Sequence, residues 1–288
     1  MPRPVCITYD STCDLTPQLL ERFQIRTVPL TIQSGERVFA DDGQYTSADL
    51  YADYRRNGTL PKTAAVSPEE FKNFFLPILE EGYDIVHIDI SSELSCTCQN
   101  AVLAAQELAE QGRVYVVDSR QLSTGGGLLA LQGAKLRDSG MDAADVAEKL
   151  RGLASCGDTS FVLDTLEYMW KGGRCSGVAA LGANVLKLKP CLEMREGKLV
   201  VCKKYRGAMG KVYRQYITER LAGKTVVEDH AFITHSGEVS EDTLRELTEL
   251  VRELTPFKEV FITQAGCTVS SHCGPGTLGV LFLRQPAQ

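Results

Sequence analysis

Short apolar runs alternate with helix-forming segments through most of this 288-residue chain, and the alternation limits the fold more tightly than any single motif. Strand-like stretches at 5–9, 85–90 and 114–118 are each followed by helical sequence. One helix begins at Thr16-Pro17, a capping hydroxyl followed by proline at the first helical position. Others are read over 99–111, 126–137 and 143–154. This rhythm predicts an α/β fold with a mostly parallel sheet covered on both faces. Near Gly157-Asp158 the character changes, and a domain boundary is placed there, giving segments 1–157 and 158–288. Beyond it, a short strand at 161–164 leads into 166–171, and 190–195 and 198–202 flank a hairpin turn at Glu196-Gly197. A helix over 208–221 precedes strand, helix, strand and strand at 231–234, 243–254, 259–263 and 278–283. That mixture predicts an α+β sandwich.

Composition removes several function classes. The formal net charge of -6 disfavours broad nucleic-acid binding, which needs a basic surface to displace counterions. No apolar leader and no run approaching the roughly 20 residues of a membrane span are visible, so a cytoplasmic protein is expected. The ten cysteines contain no C-x-x-C, and no histidine cluster has zinc-site spacing. They are read as small buried thiols, and neither a metal nor a cofactor is expected.

Five segments carry candidate chemistry. Ser91, Ser92, Ser95 and Thr97 crowd a strand-to-helix turn, where unpaired backbone N–H groups favour an anion; plain helix capping is the competing reading. Thr63 is read in a loop just ahead of a helix that starts at Ser67-Pro68-Glu69-Glu70. His272 precedes the tight turn Gly274-Pro275-Gly276 and is read at a strand start. Arg174 follows the helix-breaking Gly172-Gly173, available either to cap carbonyls or to meet a partner or a phosphate. Lys203, Lys204, Arg206 and Lys211 cluster at a helix start, a placement the helix dipole disfavours unless an anion is near.

Taken in order, these segments resemble the DegV family of fatty-acid-binding proteins. Asp10-Ser11-Thr12-Cys13-Asp14-Leu15 is similar to the family's D-S-x-x-D-L, and Val28-Pro29-Leu30 to its V-P-L strand. Thr63 to Ser67 resembles T-S-x-P-S, and Ser92 to Thr97 resembles S-x-L-S-G-T. Leu166-Glu167-Tyr168 with Gly172-Gly173-Arg174 resembles L-E-Y-L-x-x-G-G-R; Lys189-Pro190 and His272 to Gly276 match K-P and H-x-G-P-G. The resemblance implies an N-terminal Rossmann-like domain and a C-terminal α/β sandwich with one long-chain fatty acid between them. It further implies that Thr63, Ser95, Thr97, Arg206 and His272 hold the carboxylate, and that Arg174 contacts a partner. That partner would be a separate ATP-dependent fatty acid kinase making acyl phosphate for phospholipid synthesis. The chain itself would be a monomeric carrier without catalytic residues. Cys96 replaces the glycine of S-x-L-S-G-T and is expected to crowd the carboxylate. Cys98 replaces an aromatic, which is expected to put two thiols beside the ligand.

Two other readings compete. Ser95 as nucleophile with His272 as base would make a hydrolase or acyltransferase, although no G-x-S-x-G elbow surrounds any serine. A nucleotide enzyme would have to use Gly125-Gly126-Gly127, which lacks both G-x-G-x-x-G and a P-loop sequel.

Overall fold

The structure is a computed structural model that describes residues 3–175 and 188–285. Strands β1 (Val5–Asp10), β2 (Ile25–Val28), β6 (Asp84–Asp89) and β7 (Val114–Asp118) form a parallel sheet in the order β2-β1-β6-β7. Every residue of β1 is buried, as a strand covered on both faces requires. On one face, α3 (Pro68–Glu80) and α4 (Thr97–Glu107) pack Phe71, Phe75, Ala101 and Ala104 against Cys6 and Ile85. His87 belongs to this layer, ringed by Phe71 and Phe75 and linking Thr8 to Asp89. On the other face, α5 (Thr124–Asp138) and α6 (Ala143–Leu153) pack Leu128, Leu131, Val146 and Leu150 over Ile7, Val86 and Ile88.

A second, six-stranded sheet runs β10-β9-β8-β13-β11-β12. Its members are β8 (Gly157–Val162), β9 (Lys189–Arg195), β10 (Lys198–Tyr205), β11 (Val226–His235), β12 (Glu259–Gln264) and β13 (Leu278–Arg284). The β11–β12 pair is parallel and the other pairs are antiparallel. Helices α8 (Met209–Leu221) and α9 (Glu241–Leu254) cover one face with Tyr216, Ile217, Leu247 and Val251. The other face packs Phe232, Leu281 and Leu283 into the α5 core, so α5 lies between the two sheets.

That position explains the glycine run. A Cβ at Gly125 would stand 1.9 Å from the Thr159 hydroxyl of one sheet, and at Gly126 1.8 Å from the Tyr9 hydroxyl of the other. The run lets a helix approach both sheets closely, and no phosphate loop is involved.

Between the sheets' ends sits a small antiparallel sheet of β4 (Arg37–Ala40), β3 (Thr31–Ser34) and β5 (Lys62–Ala64), with α2 (Ser47–Asn57) beside it. The expected V-P-L strand stops at Val28, since Pro29 has no N–H to pair. Cys96 and Cys202 are exposed and the other eight cysteines buried. Among the described residues no helix is long and apolar enough to cross a membrane, and no cluster of three or more His, Cys, Asp or Glu is placed to hold a metal.

Candidate functional site

The parallel strands β1 and β6 end in buried aspartates, and the chain reverses its direction of sheet building between them. The crevice outside such a point is where open α/β sheets receive ligands. Here the aspartates tie loops together. Asp10 accepts from the N–H and hydroxyl of Thr12 (2.8 and 2.5 Å) and from Ile90 N–H (2.8 Å). Burial and the neighbouring Asp89 push its carboxyl up to about 7. Asp14 accepts from Ser123 Oγ (2.5 Å) and Gly266 N–H (2.8 Å), and burial pushes it up to about 8. Asp41 accepts from the N–H groups of Cys267 (2.8 Å) and Thr268 (3.1 Å). The last three donors open α10 (Cys267–Cys273), so two remote carboxylates fix the start of that short helix.

In front of the strand ends lies a cavity of about 360 Å³. Leu30, Ile90, Leu94, Leu122, Leu199 and Val269 supply apolar wall, from elements of both halves of the chain. Thr63, Ser95, Cys96, Arg174, Thr268 and His272 supply polar atoms.

His272 rides on the last turn of α10, not at a strand start. Its Nε2 is 3.1 Å from Thr63 Oγ1. Thr63 itself lies on β5, paired with Ile32, rather than in a loop. Nδ1 of His272 is buried with no hydrogen-bond partner among the described residues. It packs so closely on Gly172 that a Cβ there would stand 2.3 Å from it. Burial, aided by the Arg174 charge, pushes the imidazole down to about 4, so it is neutral at pH 7.

The four hydroxyls at the strand-to-helix turn divide into two pairs of roles. Ser92 binds Asp118 (2.6 Å) and Ser91 donates to Gly197 O (2.7 Å), pinning the turn to the β9–β10 hairpin. Ser95 Oγ accepts from Thr97 N–H (3.2 Å) at the start of α4 and shares a hydrogen bond with Thr97 Oγ1 (2.7 Å). Ser95 therefore faces the cavity while buried Thr97 supports it from behind.

Cys96 adopts φ -78°, a conformation open to any residue, so loss of the family glycine leaves the backbone unstrained. Cys96 lines the cavity, whereas Cys98 is buried off the described wall; the second cysteine on that wall is Cys273 of α10 instead. Arg174 donates to Gly172 O (2.7 Å) past the αL residue Gly173, as helix capping predicts, and also reaches the cavity wall. Arg206 is exposed between β10 and α8 and is not on the described wall. Lys203 and Lys204 belong to β10 rather than to a helix start, and Lys203 pairs with Glu219.

The sequence reading missed Thr268. Its Oγ1 is buried without a partner among the described residues, and the residue lines the cavity. Thr268 and His272 stand four apart on α10 and so share a helix face. That spacing is visible in the sequence but means nothing until 267–273 is known to be helical.

Comparison with known proteins bears on the family and the fold. The DegV family, described as an uncharacterised protein family, matches residues 4–285, and the chain belongs to it. A DegV domain-containing protein of Deinococcus radiodurans is 30% identical, with 96% of this chain and 97% of that protein covered. A protein named fatty acid-binding protein from Thermotoga maritima is 29% identical over 96% of each chain. A solved structure concerning fatty acid binding of a DegV family protein from Thermus thermophilus superposes with a TM-score of 0.87 at 31% identity, covering 98% of this chain and 99% of that one. The mixed α/β architecture is that of these DegV structures.

Proposed function

We propose that this chain binds one long-chain fatty acid in the cavity between its two sheets and presents the carboxylate at the Thr63–Ser95–His272 end. The observation that carries the reading is a largely apolar cavity whose wall also holds the uncharged Thr63, Ser95 and His272 and one cation, Arg174, with no carboxylate among the described lining residues. Burying the chain of a palmitate-sized ligand releases about 11 kcal/mol before ordering costs, at roughly 0.8 kcal/mol per methylene. The carboxylate needs donors in exchange for water. Thr63, Ser95 and His272 supply them directly, and Thr97 orients Ser95. No such role is given to Arg206, because of its position outside the wall.

On this reading segments 1–157 and 158–288 act as two domains gripping one ligand, in a monomeric cytoplasmic carrier. Exposed Arg174, at the cavity wall, would contact a separate ATP-dependent kinase that phosphorylates the presented carboxylate for phospholipid synthesis. The hydrolase reading gains no support from the geometry. His272 is bonded to Thr63 and Ser95 to Thr97, so the nucleophile–base pair is not formed, and Nδ1 has no orienting acid among the described residues.

Native mass spectrometry of the purified protein, followed by denaturing lipid extraction, tests the reading. A fatty acid at one per chain is expected. A chain that is empty, and remains so after incubation with fatty acids of varied length, overturns it.

A further inference from the structure

Leu122 lines the apolar cavity, but the preceding residue, Gln121, lines a different recess. This second cleft has a volume of about 630 Å³ and lies where the end of α6 and the β7–α5 connection meet the ends of strands β8, β9 and β13 of the six-stranded sheet. Among the described residues six cations surround it: Arg120, Arg151, Arg195, Arg220, Lys224 and Arg284. Three carboxylates, Asp158, Glu193 and Glu196, oppose them. The surplus of three positive charges is concentrated in one recess of a chain whose net charge is -6.

The pairing is uneven. Arg220, largely buried, takes the inner positions, 2.5 Å from Asp158 and 2.6 Å from Glu193. Arg195 also pairs with Glu193. Lys224 and Arg284 stand 3.7 Å from an already engaged Asp158. The Arg120 side chain makes no hydrogen bond or ion pair with any described residue. The cleft wall also holds a buried acceptor without a described partner, Gln121 Oε1, on an amide fixed by its bond to Ala154 O (2.9 Å).

We propose that this cleft binds a small organic phosphate bearing at least two negative charges and a hydroxyl or amino group. Arg120, Lys224 and Arg284 neutralise the phosphate oxygens, and Gln121 Oε1 accepts from the ligand's donor. Arginine suits the first task through its planar array of donors. The concave shape, with Arg220 and Asp158 at its floor, favours a small molecule over an acidic protein face.

Calorimetric titration of the full chain with inorganic pyrophosphate at low salt tests the charge recognition. Saturable one-to-one binding is expected. It should weaken at least about tenfold in the double variant Arg120→Glu/Lys224→Glu, since reversing two facing charges replaces attraction by repulsion. The double variant Arg245→Glu/Arg252→Glu on α9 serves as a surface control and should stay within about twofold of wild type. No saturable binding, equal loss in both double variants, or tighter binding of a poly-glutamate peptide than of pyrophosphate would overturn the proposal. The fatty-acid content of each variant is read in parallel. It should not change, which keeps failure here distinct from failure of the lipid reading.

Discussion

Two recesses meet across a single peptide link, with Leu122 on the wall of one and Gln121 on the wall of the other. In the first, no acidic side chain lines the wall among the described residues, and two buried polar atoms of its lining residues, Thr268 Oγ1 and His272 Nδ1, have no described partner. In the second, most charges are already paired inside the protein. The difference teaches how each would select. The apolar cavity gains its energy from area removed from water and is nearly indifferent to salt. The cleft must compete with its own carboxylates and is weakened by added electrolyte.

The largest effect should come from stripping the polar end of the cavity. Ser95→Ala/His272→Ala is expected to lower fatty-acid affinity by about 4 kcal/mol, on the order of a thousandfold, with pyrophosphate affinity at the cleft unchanged. Competition with a fluorescent fatty acid measures the first and calorimetry the second. Equal losses at both recesses would merge them into one site.

A pH experiment sharpens the same contrast. Burial holds His272 near 4 in the folded chain, below the ordinary 6.5 it regains on unfolding. The unfolded chain therefore takes up the proton first, and stability falls as pH drops from about 6.5 towards 4. His272→Gln should remove up to about 3 kcal/mol of that fall in the ligand-free protein. Buried Asp10 and Asp14 are shifted the other way, so the difference between variant and wild type, not the raw profile, is diagnostic. Urea unfolding at several pH values would show parallel profiles if His272 were an ordinary solvated histidine.

The helix that links the chain's halves should matter next. Asp41→Ala leaves the N–H groups of Cys267 and Thr268 without their acceptor, at a cost of about 2–3 kcal/mol of unfolding free energy. It should also weaken fatty-acid binding more than pyrophosphate binding, because α10 carries His272 and no residue of the cleft. A urea midpoint equal to that of wild type would show that the link is ornamental.

How much of this was readable beforehand depends on how local the determinants are. The parallel strands and their helices announce themselves through apolar periodicity and caps: Ser67 and Glu70 form a reciprocal capping box at the predicted start of α3. Thr63 and His272 could be singled out one by one, yet their contact spans 209 positions and no local rule gives it. The short sheet β3–β5 was missed because its strands are three or four residues long and largely polar. Helix α10 was missed for a related reason. At seven residues it shows little periodicity, and the groups at its start are Asp14 and Asp41, hundreds of positions away. The cationic cleft left no motif, since its charges come from separate strand, loop and helix ends.

Thr268 gives the smallest expected change and the clearest sign. Its hydroxyl is buried without a described partner, so it is paid for only if something else uses it. Thr268→Val keeps the shape and removes the unpaired oxygen. In the ligand-free protein this should be neutral or raise stability by up to about 1 kcal/mol. If the hydroxyl donates to a bound carboxylate, fatty-acid affinity should nevertheless fall about five- to tenfold, the worth of one hydrogen bond. A merely structural threonine would move both quantities together or neither. Opposite signs in thermal melting without ligand and in fatty-acid competition would therefore place Thr268 at the head group beside His272, and a rise in both would assign it to packing.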